Sequence, residues 1–206
     1  MNKYQTPMVG LAVLCAALLA LSACSGTQEA ALTGYEREPE PTVGLITLPA
    51  ANRDTDAFAF QADPGELLMV SFGYSSCPDV CPTTLLDAKV ALAELGSRAE
   101  DVDYAFVSID PERDSAEVLT NYVEAFLDNG IALRTDDNED LLIAADAFGV
   151  FYQVGEDDNG DLEVAHTAHI FLVDDTGSIV LTWPFGTISE DIASDLNVFL
   201  DRLEKL

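Results

Sequence analysis

The sequence predicts an α/β sandwich, a central mixed sheet with flanking helices, from three observations. Short apolar runs rich in β-branched and aromatic residues alternate with stretches of helical period. The helical stretches carry their own start and stop residues. Two hairpin-like pairs of runs come late in the chain, and one amphipathic helix closes it. With 206 residues and 49% hydrophobic content, one domain with an ordinary core is expected once a targeting segment is set aside.

That segment is residues 1–23. Lys3 and the amino terminus give a weakly positive start, Met8 to Leu21 is apolar, and Leu21-Ser22-Ala23-Cys24 follows, the layout of a secretory signal. The apolar run is short for a spanning helix of about 20 residues, so cleavage is expected rather than a permanent anchor. Leu-Ser-Ala-Cys resembles the bacterial lipobox, which implies a cut before Cys24, lipid on Cys24 and an extracytoplasmic, membrane-anchored bacterial lipoprotein. Cys15 would leave with the signal. Residues 24–42, with Gly26, Gly34, Pro39 and Pro41 and no apolar period, read as a flexible tether to a domain spanning 43–206.

Within that domain, Val43 to Leu48 and Ala57 to Phe60 suggest short strands. The apolar run Leu67 to Phe72, bounded by Gly65 and Gly73, reads as a buried strand. Pro82 fits the first position of a helix carrying Leu85, Leu86, Val90, Leu92 and Leu95 and stopping near Gly96, which makes Cys81 its N-cap. Tyr104 to Ile109 is a second buried strand, and Asp114-Ser115-Ala116-Glu117 reads as a capping box opening a helix through Leu127. Strand, helix, strand, helix implies parallel pairing with a right-handed crossover. Asn138 to Phe148 is a further helix. Phe151–Val154 and Leu162–Val164 flank the Asn159-Gly160 turn as a hairpin, and Ala168–Val173 with Ser178–Trp183 form another. Ser189 to Leu203 sets Ile192, Leu196, Phe199 and Leu203 on one helical face. A thiol pair at the first central strand-to-helix junction, followed by a closing hairpin and helix, is the order of a thioredoxin-like sandwich.

The net charge of −28 argues against nucleic acid as a partner. The acidic runs at Asp136–Asp140 and Glu156–Asp161 fail the calcium-loop pattern, since Leu141 and Leu162 stand where Gly is required. They read as a helix start and a turn.

Chemistry is concentrated in Phe72 to Leu85, Phe-Gly-Tyr-Ser-Ser-Cys-Pro-Asp-Val-Cys-Pro-Thr-Thr-Leu. It sets Cys77 and Cys81 at the start of a helix, where unpaired N–H groups and the macrodipole favour thiolate, the form that attacks disulfides and binds soft metals. A structural disulfide between them would close a loop too short to constrain the unfolded chain. Redox or metal chemistry explains the pair better.

This stretch, together with Val107-Ser-Ile-Asp-Pro-Glu-Arg-Asp114 and Val164-Ala-His166-Thr followed by Ile170-Phe-Leu-Val, resembles the Sco/SenC family of copper chaperones across Leu67 to Trp183. The resemblance implies one copper ion per chain, Cu(I) or Cu(II), held by Cys77, Cys81 and His166 and delivered to the copper A centre in subunit II of cytochrome c oxidase. A thiol reductant and another copper chaperone are further implied partners. Two thiolates and an imidazole suit Cu(I) by softness, whereas zinc would want a fourth ligand. His169 competes with His166; an odd offset on one strand would turn the two to opposite faces, and the motif selects His166. Asp110 and Asp114 repeat the family's Asp-x-x-x-Asp, and a turn and an N-cap account for both. The chain departs from the family at Asp63–Glu66, at Ser76 and at Ala165, around the ligands but not at them.

Two other functions use the same residues. A thiol-disulfide reductase that keeps target cysteines reduced would cycle the Cys77–Cys81 disulfide; oxidoreductases of this fold set a Pro opposite the thiols, and Arg134 to Trp183 contains none. A redox or copper sensor needs nothing more than the three ligands. Whether the chain is an enzyme depends on which of these roles it plays.

Overall fold

The computed structural model describes residues 31–156 and 162–205; the signal, Cys24 and the Asn159-Gly160 turn lie outside them. Among the described residues nine strands, β1 (Thr47–Ala50), β2 (Thr55–Ala59), β3 (Leu67–Gly73), β4 (Val102–Ser108), β5 (Ile131–Leu133), β6 (Tyr152–Glu156), β7 (Leu162–His166), β8 (His169–Val173) and β9 (Ile179–Pro184), accompany four α-helices, α1 (Val80–Leu95), α2 (Ala116–Phe126), α3 (Asn138–Phe148) and α4 (Ser189–Leu203). Seven strands form one mixed sheet in the order β2-β1-β5-β4-β3-β8-β9, and β6 and β7 form a separate antiparallel pair. This is the thioredoxin-like arrangement.

β3 is the hub. All seven residues of Leu-Leu-Met-Val-Ser-Phe-Gly are buried, the unbroken apolar reading expected of a strand covered on both faces. It pairs in parallel with β4 and antiparallel with β8. On one face Phe148 of α3 meets Phe60, Phe72 and Phe171 edge-on at centroid distances of 5.0, 5.3 and 5.2 Å, geometries that the ring quadrupoles favour. On the other face α1 packs between α4 and α2, and Phe106 of β4 meets Tyr122 of α2 at 5.8 Å. The carboxyl ends of β3 and β4 lie side by side, the place where open α/β sheets build their sites.

Several expectations are corrected. α1 begins at Val80 with Asp79 at the N-cap position and no side-chain cap, so Cys81 is the second helical residue and Pro82 the third. Pro82 still costs little, because the first four N–H groups of a helix have no intrahelical partner. Ser115, not Asp114, caps α2, its hydroxyl accepting from the Val118 N–H at 3.2 Å. β5 was not expected: three residues are too few to show a period. The early strands form the β1–β2 hairpin, shifted from the expected spans.

The tether reading also changes within the described residues. From Leu32 the chain belongs to the compact unit. Asp195 of α4, 1% exposed, accepts from the Thr33 and Gly34 N–H groups at 3.0 and 2.8 Å and from Trp183 Nε1 at 2.8 Å. Tyr35 and Thr42 bridge to Thr182 and Ser178, covering the edge of β9. A buried carboxyl needs donors, and backbone amides of the strap supply two of its three.

Candidate metal centre

The site stands where β3 becomes α1. A Cβ at Gly73 would lie 2.7 Å from Cys81 Sγ and 2.8 Å from Phe106 Cζ, so only glycine leaves room for that sulfur at the strand end. Cys81, carried on the first turn of α1, is 2% exposed, and Cys77, on the loop above it, is 9% exposed. Both are free thiols. The Cys81 N–H donates to Cys77 Sγ at 3.3 Å. Cys77 therefore occupies the capping role expected of Cys81.

This swap sets the two thiols apart. Burial acts against the Cys77 thiolate, but the Cys81 and Asp79 N–H groups and hydrogen bonds from the Cys81 and Tyr74 side chains outweigh it, holding its pKa below the ordinary thiol value. Burial pushes the Cys81 thiol well up, with its bond to Cys77 adding to the effect. Tyr74, burdened first by burial and then by the neighbouring Cys77, is pushed up to about 12. It stays a neutral donor.

His166 ends β7, opposite Tyr152 of β6. It closes β7 and stands just before β8, which His169 begins. Different strands, rather than alternation along one, separate the two imidazoles. His169 packs on Phe171 and Tyr35 at 5.9 and 6.2 Å. His166 Nδ1 lies 3.2 Å from the Thr167 carbonyl, which accepts only from an N–H, so the proton sits on Nδ1 and the Nε2 lone pair is left bare. Nε2 is 3.7 Å from Cys81 Sγ. Burial, only partly offset by that carbonyl, lowers the His166 pKa and favours the neutral, ligating form.

The ligand atoms of Cys77, Cys81 and His166 lie within 4.8 Å of one another. Metal bonds of about 2.0–2.3 Å to N and S place trigonal donors roughly 3.7 Å apart, so three donors at these separations fit one ion with small adjustment. The set is soft, two sulfurs and one nitrogen, which favours Cu(I) and also serves Cu(II). A cleft of ≈ 410 Å³ opens over it, walled by Tyr74, Val80, Val164, Ala168 and Phe185.

Asp114, read from the sequence as an N-cap, makes contacts that this reading did not include. Asp114, 0% exposed, accepts from the Ser75 N–H at 3.1 Å, from the Ser75 hydroxyl and from the Ser108 hydroxyl at 2.6 Å. It ties the Cys77 loop to the end of β4. Asp110, also buried, forms an ion pair with Arg113 and accepts the Asp114 N–H through its carbonyl at 2.9 Å, as a turn residue does. The signal for Asp114 was present as two serines flanking the motifs, but nothing local pairs residues 39 positions apart.

A family model described as SCO1/SenC matches residues 50–201, a range that holds Cys77, Cys81 and His166. The SCO2-like protein of Rickettsia prowazekii is 33% identical over 128 residues, 60% of this chain and 62% of that protein. The human mitochondrial SCO1 homolog is 35% identical over 119 residues, 56% of this chain and 39% of that protein. The matched part thus spans less than two thirds of either relative. Bradyrhizobium japonicum ScoI, solved with copper bound, superposes with a TM-score of 0.65 at 30% identity, covering 76% of this chain and 98% of that one. Apo Sco1 of Thermus thermophilus gives 0.64 at 31%, covering 87% and 99%.

Proposed function

The chain belongs to the SCO1/SenC family, and from that premise we propose that it carries one copper ion on Cys77, Cys81 and His166 and delivers it to the copper A centre in subunit II of cytochrome c oxidase. The observation that carries the proposal is the convergence of two thiols and one bare imidazole nitrogen within 4.8 Å, in a fold shared with a copper-bound ScoI at 30% identity. Cys77 faces the cleft as the readier thiolate and is the ligand an incoming thiol meets first. Cys81 holds the cargo from beneath. His166 closes the set from the β6–β7 hairpin, which has no ladder to the main sheet.

Copper transfer is then an exchange of thiolate ligands between two proteins, with no net redox step required. Lipid on Cys24 would hold the domain at the outer face of the membrane after removal of residues 1–23. Among the described residues no helix is long and apolar enough to cross a membrane. The test is direct: load the reduced chain with Cu(I), mix it with copper-free subunit II soluble domain, separate the two and assay copper in each. Copper is expected in subunit II, and retention by the donor would contradict delivery.

A second reading rests on the asymmetry of the thiols. A low-pKa Cys77 that lines the cleft, above a more deeply buried Cys81 with a raised pKa, is also the arrangement of an attacking and a resolving thiol, so reduction of the acceptor's cysteines is the alternative role. It predicts disulfide exchange that survives His166→Ala.

A further inference from the structure

The turn between β9 and α4 puts two large apolar side chains into solvent, and the first of them shares a cleft with Cys77. Phe185 is 48% exposed and Ile188 is 55% exposed. The turn is built rather than loose. Gly186 has φ 90, a conformation that glycine adopts without steric cost, and the Thr187 N–H and hydroxyl both donate to the Pro184 carbonyl, at 3.2 and 2.9 Å. Phe185 thereby forms part of the wall of the thiol cleft, beside Val80, Val164 and Ala168. It also walls an adjoining pit with Asp87. Charge around this lip has one sign. Asp79 lines the cleft, Asp87 lines the pit, Glu190 acts electrostatically on Asp87, and among the described residues no Lys or Arg lines either hollow.

We propose that this lip, Phe185 and Ile188 flanked by Asp79, Asp87 and Glu190, is the docking surface for the copper acceptor, and that the acceptor presents an apolar contact ringed by Lys or Arg beside its own copper ligands. The proposal rests on the delivery reading and adds to it a surface and a partner chemistry. Exposed aromatics beside a site are costly in a free protein and characteristic of interface centres. Rim charges govern encounter and partner choice more than final affinity. A chain of net charge −28 repels anionic surfaces and is steered toward cationic ones. Cys77 is reached from the side where Phe185 stands, so an acceptor thiol that reaches it brings its own protein against the lip.

The experiment uses the full chain in detergent, loaded with copper, and the copper-free soluble domain of subunit II from the same organism as probe. Transfer is timed at increasing NaCl, and copper affinity of each donor is measured by chelator competition. The wild-type rate is expected to fall about tenfold between roughly 20 mM and 500 mM salt as screening shortens the field. Phe185→Ser should slow transfer about tenfold. Asp87→Lys combined with Glu190→Lys should slow it comparably at low salt and flatten the salt dependence. Copper affinity should stay within about twofold in the Asp87 and Glu190 variant, because neither residue lines the cleft over the thiols, and all donors are compared at equal copper loading; Glu190, exposed on α4, can also be changed alone with little risk to the fold. Transfer by the variants at the wild-type rate would overturn the docking surface and leave delivery standing. A rate that rises with salt would overturn the cationic acceptor. A wild-type chain that binds copper but never passes it to subunit II would overturn delivery and the docking surface with it.

Discussion

At the start of α1 the same backbone makes two different thiols, and this difference is the first testable consequence at the scale of single residues. Cys77 gains the N–H groups, whereas Cys81 is sealed behind it, so iodoacetamide at pH 7 should label Cys77 well before Cys81, as read by peptide mass spectrometry. Labelling of Cys81 first would contradict the assignment. The pH dependence follows in sign. A thiol whose folded pKa is raised adds stability that is present below its unfolded value and lost as pH rises through the raised one. Reduced wild type should therefore lose stability above about pH 9 relative to Cys81→Ala, measured as the urea midpoint against pH. Cys77 has the opposite sign: its contribution is present above the ordinary thiol value and is lost as pH falls through the lowered one. His166→Ala should weaken copper binding at least roughly 100-fold, while His169→Ala, packed on Tyr35 and Phe171, should change it little. Asp114→Ala leaves three donors from Ser75 and Ser108 unpaired and should cost about 3 kcal/mol in urea unfolding, with weakened copper binding because the Cys77 loop loses its tie. The three candidate ligands, which the structure brings within 4.8 Å of one another, were legible in the sequence because their motifs are local. Asp114's role was not, because its partners meet only after β3 and β4 pair.

At the scale of elements, legibility followed the length of the periodic signal. α3 and α4 occupy the expected residues, Asn138–Phe148 and Ser189–Leu203, since each offers more than two turns of amphipathic pattern. β5 supplies only Ile-Ala-Leu, and its identity as a strand comes from pairing with β4. The start of α1 was misplaced by reading Pro82 as a boundary when a sulfur four residues earlier than Cys81 does the capping. The strap at 32–42 looked flexible because it has no period of its own; its order is supplied by Asp195, β9 and Trp183. Asp195→Ala should release it. Amide exchange at Gly34 and Tyr35 should then rise by orders of magnitude and stability should fall by about 3 kcal/mol, since three donors lose their acceptor. Protection unchanged in the variant would show that the strap is held by other contacts.

At the scale of the whole molecule, one sheet hub places the thiols at the end of β3, and a separate hairpin brings His166 over them, so a single cluster gathers side chains 85 residues apart in sequence. The strong negative charge of the chain argues against nucleic acid as a partner, and the cluster of Cys77, Cys81 and His166 contains no carboxyl. The fold and the three candidate ligands were both legible because the motif and the topology meet at one junction; the strap and the Asp114 tie depend on tertiary contacts that no local pattern encodes. The central claim is that these three side chains are one copper site that requires both thiolates. It is tested most directly by titrating copper into the reduced chain and into the same chain oxidised to the Cys77–Cys81 disulfide, with bound metal counted per chain. One copper is expected on the reduced protein and none held tightly by the oxidised form, since a disulfide offers no thiolate. Undiminished copper binding by the oxidised protein would contradict it.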